Sequence, residues 1–391
     1  MSARGKGGSR IKGPKAPKRR RRPAPVPERA ARVPARARSI LTLAVAVGLA
    51  LTLFALAIAV FVIYPNRLGP GGGRVVDLDV PPHAGPDEIA TLLASQGLLT
   101  SPRLFAAWVR ITGGTAHVVA GRHLLSDDAS PRELLARLER RGGAGMARVT
   151  FPEGWTRFDM ARRLEQKRVV SLRAFLDATS DPVVLSELSI QGDSAEGYLF
   201  PATYDLAMDD DAADVVRRMK REFDRRWDAL SALHSGALGD VMISAKLSIR
   251  DVVVLASMVE KEAVVDDERP LIAGVFLNRL RDPAFKPKHL ESDPTAAYGC
   301  VASPEKAPSC ASFAGKITAA IEHDADNPYS TYTHEGLPPG PIANPGAKAL
   351  EAAMAPALSR YFFFVARGGG RHAFSETYEA HAAAVREWNR H

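Results

Sequence analysis

Only two cysteines occur in the 391 residues, Cys300 and Cys310, ten positions apart. Any cross-link is therefore one bond closing one short loop. Acidic residues are nearly missing from residues 1–38, where Glu28 stands alone against 14 Lys and Arg. That tail carries +13, the whole chain +8, and the remainder −5, so the basic overall pI says little about the folded part. Charge and proline are both missing from residues 40–64. No HExxH stretch occurs, and His289, His323, His334, His372 and His381 are scattered without ligand spacing, which argues against a zinc hydrolase. No G-x-S-x-G turn occurs either, so a serine-elbow hydrolase is unsupported.

The uncharged run, ILTLAVAVGLALTLFALAIAVFVIY, is slightly longer than the roughly 20 residues that cross a hydrocarbon layer as a helix. Such a helix satisfies its own backbone polar groups, so a single span is complete. A buried core helix is usually shorter, and a secretory signal has an apolar region of about 7–15 residues before a small-residue cleavage site. This run is longer and ends in Val62-Ile63-Tyr64-Pro65-Asn66, which favours a retained anchor. The run Lys18–Arg22 could serve as a nucleic-acid patch. Directly before a span it is more simply an orientation signal that stays cytoplasmic and attracts anionic lipid, and no nucleic-acid partner is expected. The Pro-, Gly- and Arg-rich tail is expected to be disordered. Both cysteines then lie beyond the membrane, where an oxidising compartment favours a Cys300–Cys310 disulfide over two free thiols.

After a Gly- and Pro-rich linker (65–74), Val76, Leu78 and Val80 alternate as in a strand. Pro86 and Asp87 then open a helix with Ile89, Leu92 and Leu93 at helical spacing. Ser130 before Pro131 caps another short helix within Asp128–Leu138. A second strand, Pro-x-Gly turn and helix returns at Val149–Leu164, so a small β-turn-α pattern repeats with variation. Residues from Pro182 to Asp240 read as mostly helical, broken by the packed loop Glu196–Tyr204.

Residues 251–263, DVVVLASMVEKEA, project Val252, Leu255, Ala256, Val259 and Ala263 onto one face of a helix. Glu260 and Glu262 fall near the two edges of that stripe, and the projection does not separate them. A carboxyl held against apolar neighbours keeps its proton to higher pH, which suits a general acid, whereas an ordinary helix end or a salt bridge would not need it. Val275–Leu280 continues as a helix, and Glu291–Gly299 reads as a polar turn. Tyr329–Gly346 is too rich in Pro and Gly for regular structure and too aromatic for a linker, as in a rigid loop lining a sugar-binding cleft. Tyr361–Ala366 reads as a buried strand ahead of a Gly-rich turn.

Several long motifs then stand in one order: FPEGW (151–155), EGYLFPATY (196–204), ASMVEKE (256–262), ERPLIAGVFLNRL (268–280), SDPTAAYG (292–299), GLPPGPIANPG (336–346) and FFFVARGGGRHAFSET (362–377). Together with the anchor and a Pro-rich turn at Pro81–Gly85, they resemble the endolytic murein transglycosylase family over roughly residues 75–390. The resemblance implies an enzyme that cuts the β-1,4 bond after N-acetylmuramic acid in nascent peptidoglycan and leaves a 1,6-anhydro ring. It implies neither metal nor cofactor. The family's acid corresponds to the second glutamate of the E-K-E motif, Glu262, with Glu260 as the fallback. Ala263 stands where the family often has Thr, and Ser330 where it usually has Asn. Asp293, Tyr298, Tyr332 and Asn344 are the candidate substrate-binding groups.

The fold class implied is α+β: a cytoplasmic tail (1–39), a transmembrane helix (40–64), a linker (65–74), a LysM-like module (75–165) and a catalytic domain (166–391). The expected place is the bacterial inner membrane, N-terminus cytoplasmic and the catalytic part outside, with glycan strands as substrate and peptidoglycan synthases of the elongation machinery as candidate partners. A glycan-binding scaffold and a water-using muramidase, with Asp293 as its second carboxylate, are the competing readings.

Overall fold

The computed structural model describes residues 35–113, 117–139 and 145–388, so the basic tail before residue 35 lies outside the described residues. The chain divides into two units, Met1–Val62 and Ile63–His391. In the first, helix α1 (Ala35–Ile58) runs into a π-helical turn at Ala59–Ile63. From Val45 to Asn66 the helix is long and apolar enough to cross a membrane, and its most apolar stretch is wholly unburied. This is compatible with a single anchor.

The second unit opens with a short helix, α2 (Tyr64–Asn66). Strand β1 (Val75–Val80) buries Val76, Leu78 and Val80, as its alternation predicts. Helices α3 (Pro86–Ser95) and α4 (Pro102–Thr112) follow, and β2 (Gly121–Ser126) returns antiparallel to β1 with Val76 opposite Leu125. Helix α5 (Pro131–Leu138) starts at a capping box in which Ser130 and Glu133 satisfy each other's backbone amides.

Strand β3 (Met146–Thr150) leads through helices α6 (Arg157–Gln166), α7 (Leu172–Ala178) and α8 (Pro182–Glu187) to strand β4 (Thr203–Ala207). β3 and β4 pair antiparallel, Val149 opposite Tyr204. Both segments therefore run strand, helices, strand. The second one shares the main hydrophobic core through Val149, Phe151, Met160 and Leu164, so the boundary expected at residue 165 falls inside that core. Helix α9 (Ala212–Leu233) ties the two segments together, because Arg218 pairs with Asp128 and Arg221 with Glu133.

Helix α10 (Ser235–Ala245) leads to α11 (Ile249–Glu262), whose Val252–Val259 are all buried in the middle of this core. Helices α12 (Arg269–Arg281) and α13 (Asp293–Ala302) follow. The expected polar turn at Glu291–Gly299 is thus mostly helix: Pro294 sits in its first turn, where a proline's missing N–H leaves no bond unmade. Cys300 and Cys310 are joined as a disulfide with Cα atoms 4.9 Å apart, beside a small core of Ala296, Ala307 and Ile321.

After α14 (Ala319–Glu322) the chain runs without strand or long helix to α15 (Ala347–Met354), as the Pro- and Gly-rich composition predicts. It ends in the hairpin β5 (Phe363–Gly368) and β6 (Arg371–Ser375) and helix α16 (Tyr378–Trp388). The expected buried strand is half-buried at most. The hairpin is a two-stranded sheet on the edge of the core, where Phe364 packs on Phe276 while Phe363 turns to Tyr378 and His381.

Candidate functional site

Helix α11 begins at a capping box, Ser248 with Asp251, and stops abruptly at Ala263, whose backbone is extended. Its last turn carries both acidic candidates and sends them to different surroundings.

Glu260 is only 6% exposed at its side chain and lies 3.6 Å from the Arg269 guanidinium. It also accepts the Gly346 N–H at 3.1 Å, at the start of α15. A Cβ at Gly346 would meet only the Glu153 carboxylate, the far end of an exposed side chain that can move aside. Burial raises the Glu260 pKa, while the Gly346 amide and Arg269 oppose the rise. The side chain is thus committed to joining α11, α12 and α15.

Among the described residues, no cation lies within ion-pair reach of Glu262. Its Oε1 accepts the Ser292 hydroxyl at 2.5 Å. Burial pushes its pKa up to about 7; the Ser292 hydrogen bond opposes that rise, the Asp293 charge adds to it and Arg279 opposes it. The C-terminal end of a helix, rich in unpaired carbonyls, also disfavours an anion there. The residue keeps partial exposure. The result is a carboxyl biased toward its protonated form, on a residue that keeps partial exposure.

Ser292 occupies the cap position of α13 but makes no side-chain capping bond, since its hydroxyl points to Glu262 instead. Other groups hold its backbone. Its N–H donates to Thr331 Oγ1 at 3.0 Å, and its carbonyl accepts from Thr295 Oγ1 at 2.6 Å. Arg279 steadies the preceding loop by donating to the Leu290 carbonyl and to Glu291, and its Nε reaches the Phe362 carbonyl at 2.7 Å. Ser292, Thr295, Thr331 and Arg279 were not candidates from the sequence. The available signals were the Ser before Asp-Pro in SDPTAAYG and the arginine within VFLNRL.

The expected substrate-binding groups separate into two sets. Asp293 is exposed, and Tyr332 donates its hydroxyl to Asp293 Oδ1 at 2.5 Å, next to Ser292 and hence to Glu262. A groove that begins at the neighbouring Pro294 is lined by Asp159, Arg162, Lys261, Pro294, Ala297 and Tyr298, among others, while Glu262, Ser292, Asp293 and Tyr332 lie outside its lining. Asn344 is fully buried beside Glu196, and Tyr298, which edges the groove, turns its hydroxyl inward to the same carboxylate. Tyr298 Oη and Asn344 Nδ2 donate to that carboxylate at 3.0 and 2.6 Å, as does the Arg157 N–H at 3.0 Å. Asn344 Oδ1 accepts from Gly197 and Leu199. This cluster fastens the Glu196–Tyr204 loop beneath the groove. Ser330, also fully buried, donates to the Glu322 carbonyl. Among the described residues no three His, Cys, Asp or Glu side chains are grouped to hold a metal ion.

The chain is 26% identical over 335 residues to the endolytic murein transglycosylase of Bacillus subtilis (strain 168), covering 80% of this chain and 84% of that one. It is 29% identical over 318 residues to the protein of the same name from Streptococcus pneumoniae serotype 2, covering 75% of this chain and 54% of that one. It thus spans about half the length of the pneumococcal relative. A crystal structure of a YceG-like protein from Listeria monocytogenes matches 80% of this chain and 100% of its own, at 26% identity and a TM-score of 0.50. The YceG-like family matches residues 78–387, and this chain belongs to it.

Proposed function

We propose that the chain is a lytic transglycosylase that cuts the β-1,4 bond after N-acetylmuramic acid within peptidoglycan strands, with Glu262 as its one acid. The carrying observation is the contrast inside α11: Glu260 is spent on Arg269 and Gly346, whereas Glu262 holds a proton near neutral pH with only a hydroxyl for a partner. The relatives' own name, endolytic murein transglycosylase, supports the substrate.

In this reading the Glu262 carboxyl gives its proton to the glycosidic oxygen as the bond from C1 to that oxygen breaks. Charge then develops at C1, and Glu262 is left as a carboxylate stabilised by Ser292. The sugar's own C6 hydroxyl closes on C1 and returns its proton to Glu262, leaving a 1,6-anhydro ring and the acid as it began. An internal nucleophile gains from proximity, so neither water nor a second ionised carboxylate is needed. Asp293 and Tyr332, at the mouth of the site, are proposed to hold the sugar next to the cut.

The apolar helix is proposed as a single-pass anchor in the inner membrane, with the +13 tail cytoplasmic and the rest outside. The β1–β2 module is proposed to grip the glycan as a LysM-like unit. The test is mass spectrometry of glycan products from the full chain. Anhydro-ended fragments from the wild type, and none from Glu262→Gln, support the proposal. Reducing ends would point to a muramidase, and an inert wild type to a scaffold.

A further inference from the structure

Helix α4 is apolar on nearly every side. Phe105, Ala106, Trp108 and Val109 are buried in the module, yet Leu104 and Ile111 are 54% and 63% exposed, and Ala107 between them is exposed too. At 100° per residue, Leu104, Ala107 and Ile111 form one stripe that borders Trp108, while Arg103 and Arg110 lie along its far edge. A helix apolar both inward and outward has two apolar neighbours, and the module supplies only one.

The edge shared with Trp108 identifies the other. Tyr64 belongs to the last turn of the apolar stretch Val45–Asn66, and its ring packs edge-on against Trp108 with centroids 6.4 Å apart. Pro65 is buried alongside. Tyr and Trp gather at the level of lipid headgroups, where one end of the ring is apolar and the other wet. The stripe therefore adjoins the place where the chain leaves the apolar layer, and Leu68, 48% exposed, follows directly. An apolar stripe beside aromatics with arginines along its rim is the pattern of a helix lying in an interface plane.

Resting on the anchor proposed above, we propose that α4 is a second membrane contact: its outer face lies in the headgroup layer, with Leu104 and Ile111 reaching the acyl boundary. Arg103 meets anionic headgroups there, and Arg110 does so alongside its partner Asp87. The module is thereby fixed in height and tilt on the bilayer rather than swinging on a tether.

The test uses the full chain in vesicles of phosphatidylethanolamine and phosphatidylglycerol, with an environment-sensitive fluorophore on one introduced cysteine at a time. The native pair Cys300–Cys310 is disulfide-bonded and does not compete for the label. Probes go at Leu104→Cys, Ile111→Cys, Phe54→Cys in the span, and Ile243→Cys, an 80% exposed apolar site on α10. Lipids carrying a quencher near the headgroup are expected to dim the probes at 104 and 111 but not at 243. No quenching at 104 and 111, as when a second copy or another protein covers the stripe, overturns the proposal. Equal quenching at 243 overturns it also, since it marks indiscriminate adsorption. A Phe54 probe untouched by deep-chain quenchers would instead sink the anchor itself, and this proposal with it.

Discussion

The Ser292 hydroxyl donates to Glu262 Oε1 at 2.5 Å, although Ser292 stands at a helix cap where its oxygen would ordinarily accept an amide. A capping bond contributes about 1 kcal/mol, so α13 forgoes that stabilisation to present a donor to the acid. A donor of this kind favours the charged carboxylate formed after proton transfer. Ser292→Ala is expected to lower kcat by about tenfold, the loss of one hydrogen bond to a charged group. KM should change little. Because Ser292 holds the Glu262 pKa down, its loss moves the high-pH limb of the rate profile upward. A limb that stays put, or moves down, would separate Ser292 from the acid's titration.

The pH dependence of stability has a definite sign. The Glu262 pKa rises from 4.5 to about 7 on folding, so the folded state holds this proton more tightly than the unfolded chain does. Its contribution is fully present below pH 4.5, declines between 4.5 and 7, and is lost above. Glu262→Gln removes that loss. Urea unfolding should show the variant more stable than wild type above pH 7 by on the order of 2 kcal/mol, and equal to it below 4.5. Activity should fall through the same upper limit, because the acid must enter the reaction protonated.

Glu260→Gln is expected to cost stability rather than turnover. It leaves the buried Arg269 with Asp266 alone and weakens the tie to Gly346. A loss of about 2–3 kcal/mol is expected, somewhat below the cost of fully breaking a buried pair, because Asp266 remains. Thermal unfolding reads the loss. Turnover per folded molecule should stay within about threefold of wild type, a shift under 1 kcal/mol in the barrier.

Asn344→Ala removes the acceptor for Gly197 and Leu199 and one donor to Glu196, all inside the core. Each buried group left unpaired costs about 1–3 kcal/mol, so a large drop in unfolding free energy is expected. The KM for glycan should be unchanged at temperatures where the variant remains folded. A raised KM with intact stability would return Asn344 to the substrate.

Removing the disulfide with Cys300→Ala and Cys310→Ala opens a loop of ten residues. Chain entropy alone gives a loss of roughly 2–3 kcal/mol, measurable as a lower urea midpoint.

The patterns carried by neighbours in the chain were legible: the alternation of β1, the Ser130 box, and the buried stripe of α11. What separates Glu260 from Glu262 was not, because their partners Arg269, Ser292 and Gly346 arrive from elsewhere in the chain. The helical projection placed both at the edges of the stripe and could go no further. The pairing of β3 with β4 spans more than fifty residues and leaves no local trace. Asn344 looked like a cleft group because amides suit sugars, but an amide is equally suited to holding a buried carboxylate such as Glu196. Asp-Pro at the head of α13 reads as a turn or as a helix start, and only the packed structure decides between them.

Arg279 fastens the loop before Ser292 to the carbonyl of Phe362, at the threshold of the final hairpin. The acid's surroundings are therefore held in part by a hairpin far along the chain from Glu262 itself. The site is complete only once that hairpin has packed, so a copy truncated ahead of Phe362 should lose cutting although Glu262 and Ser292 are both present.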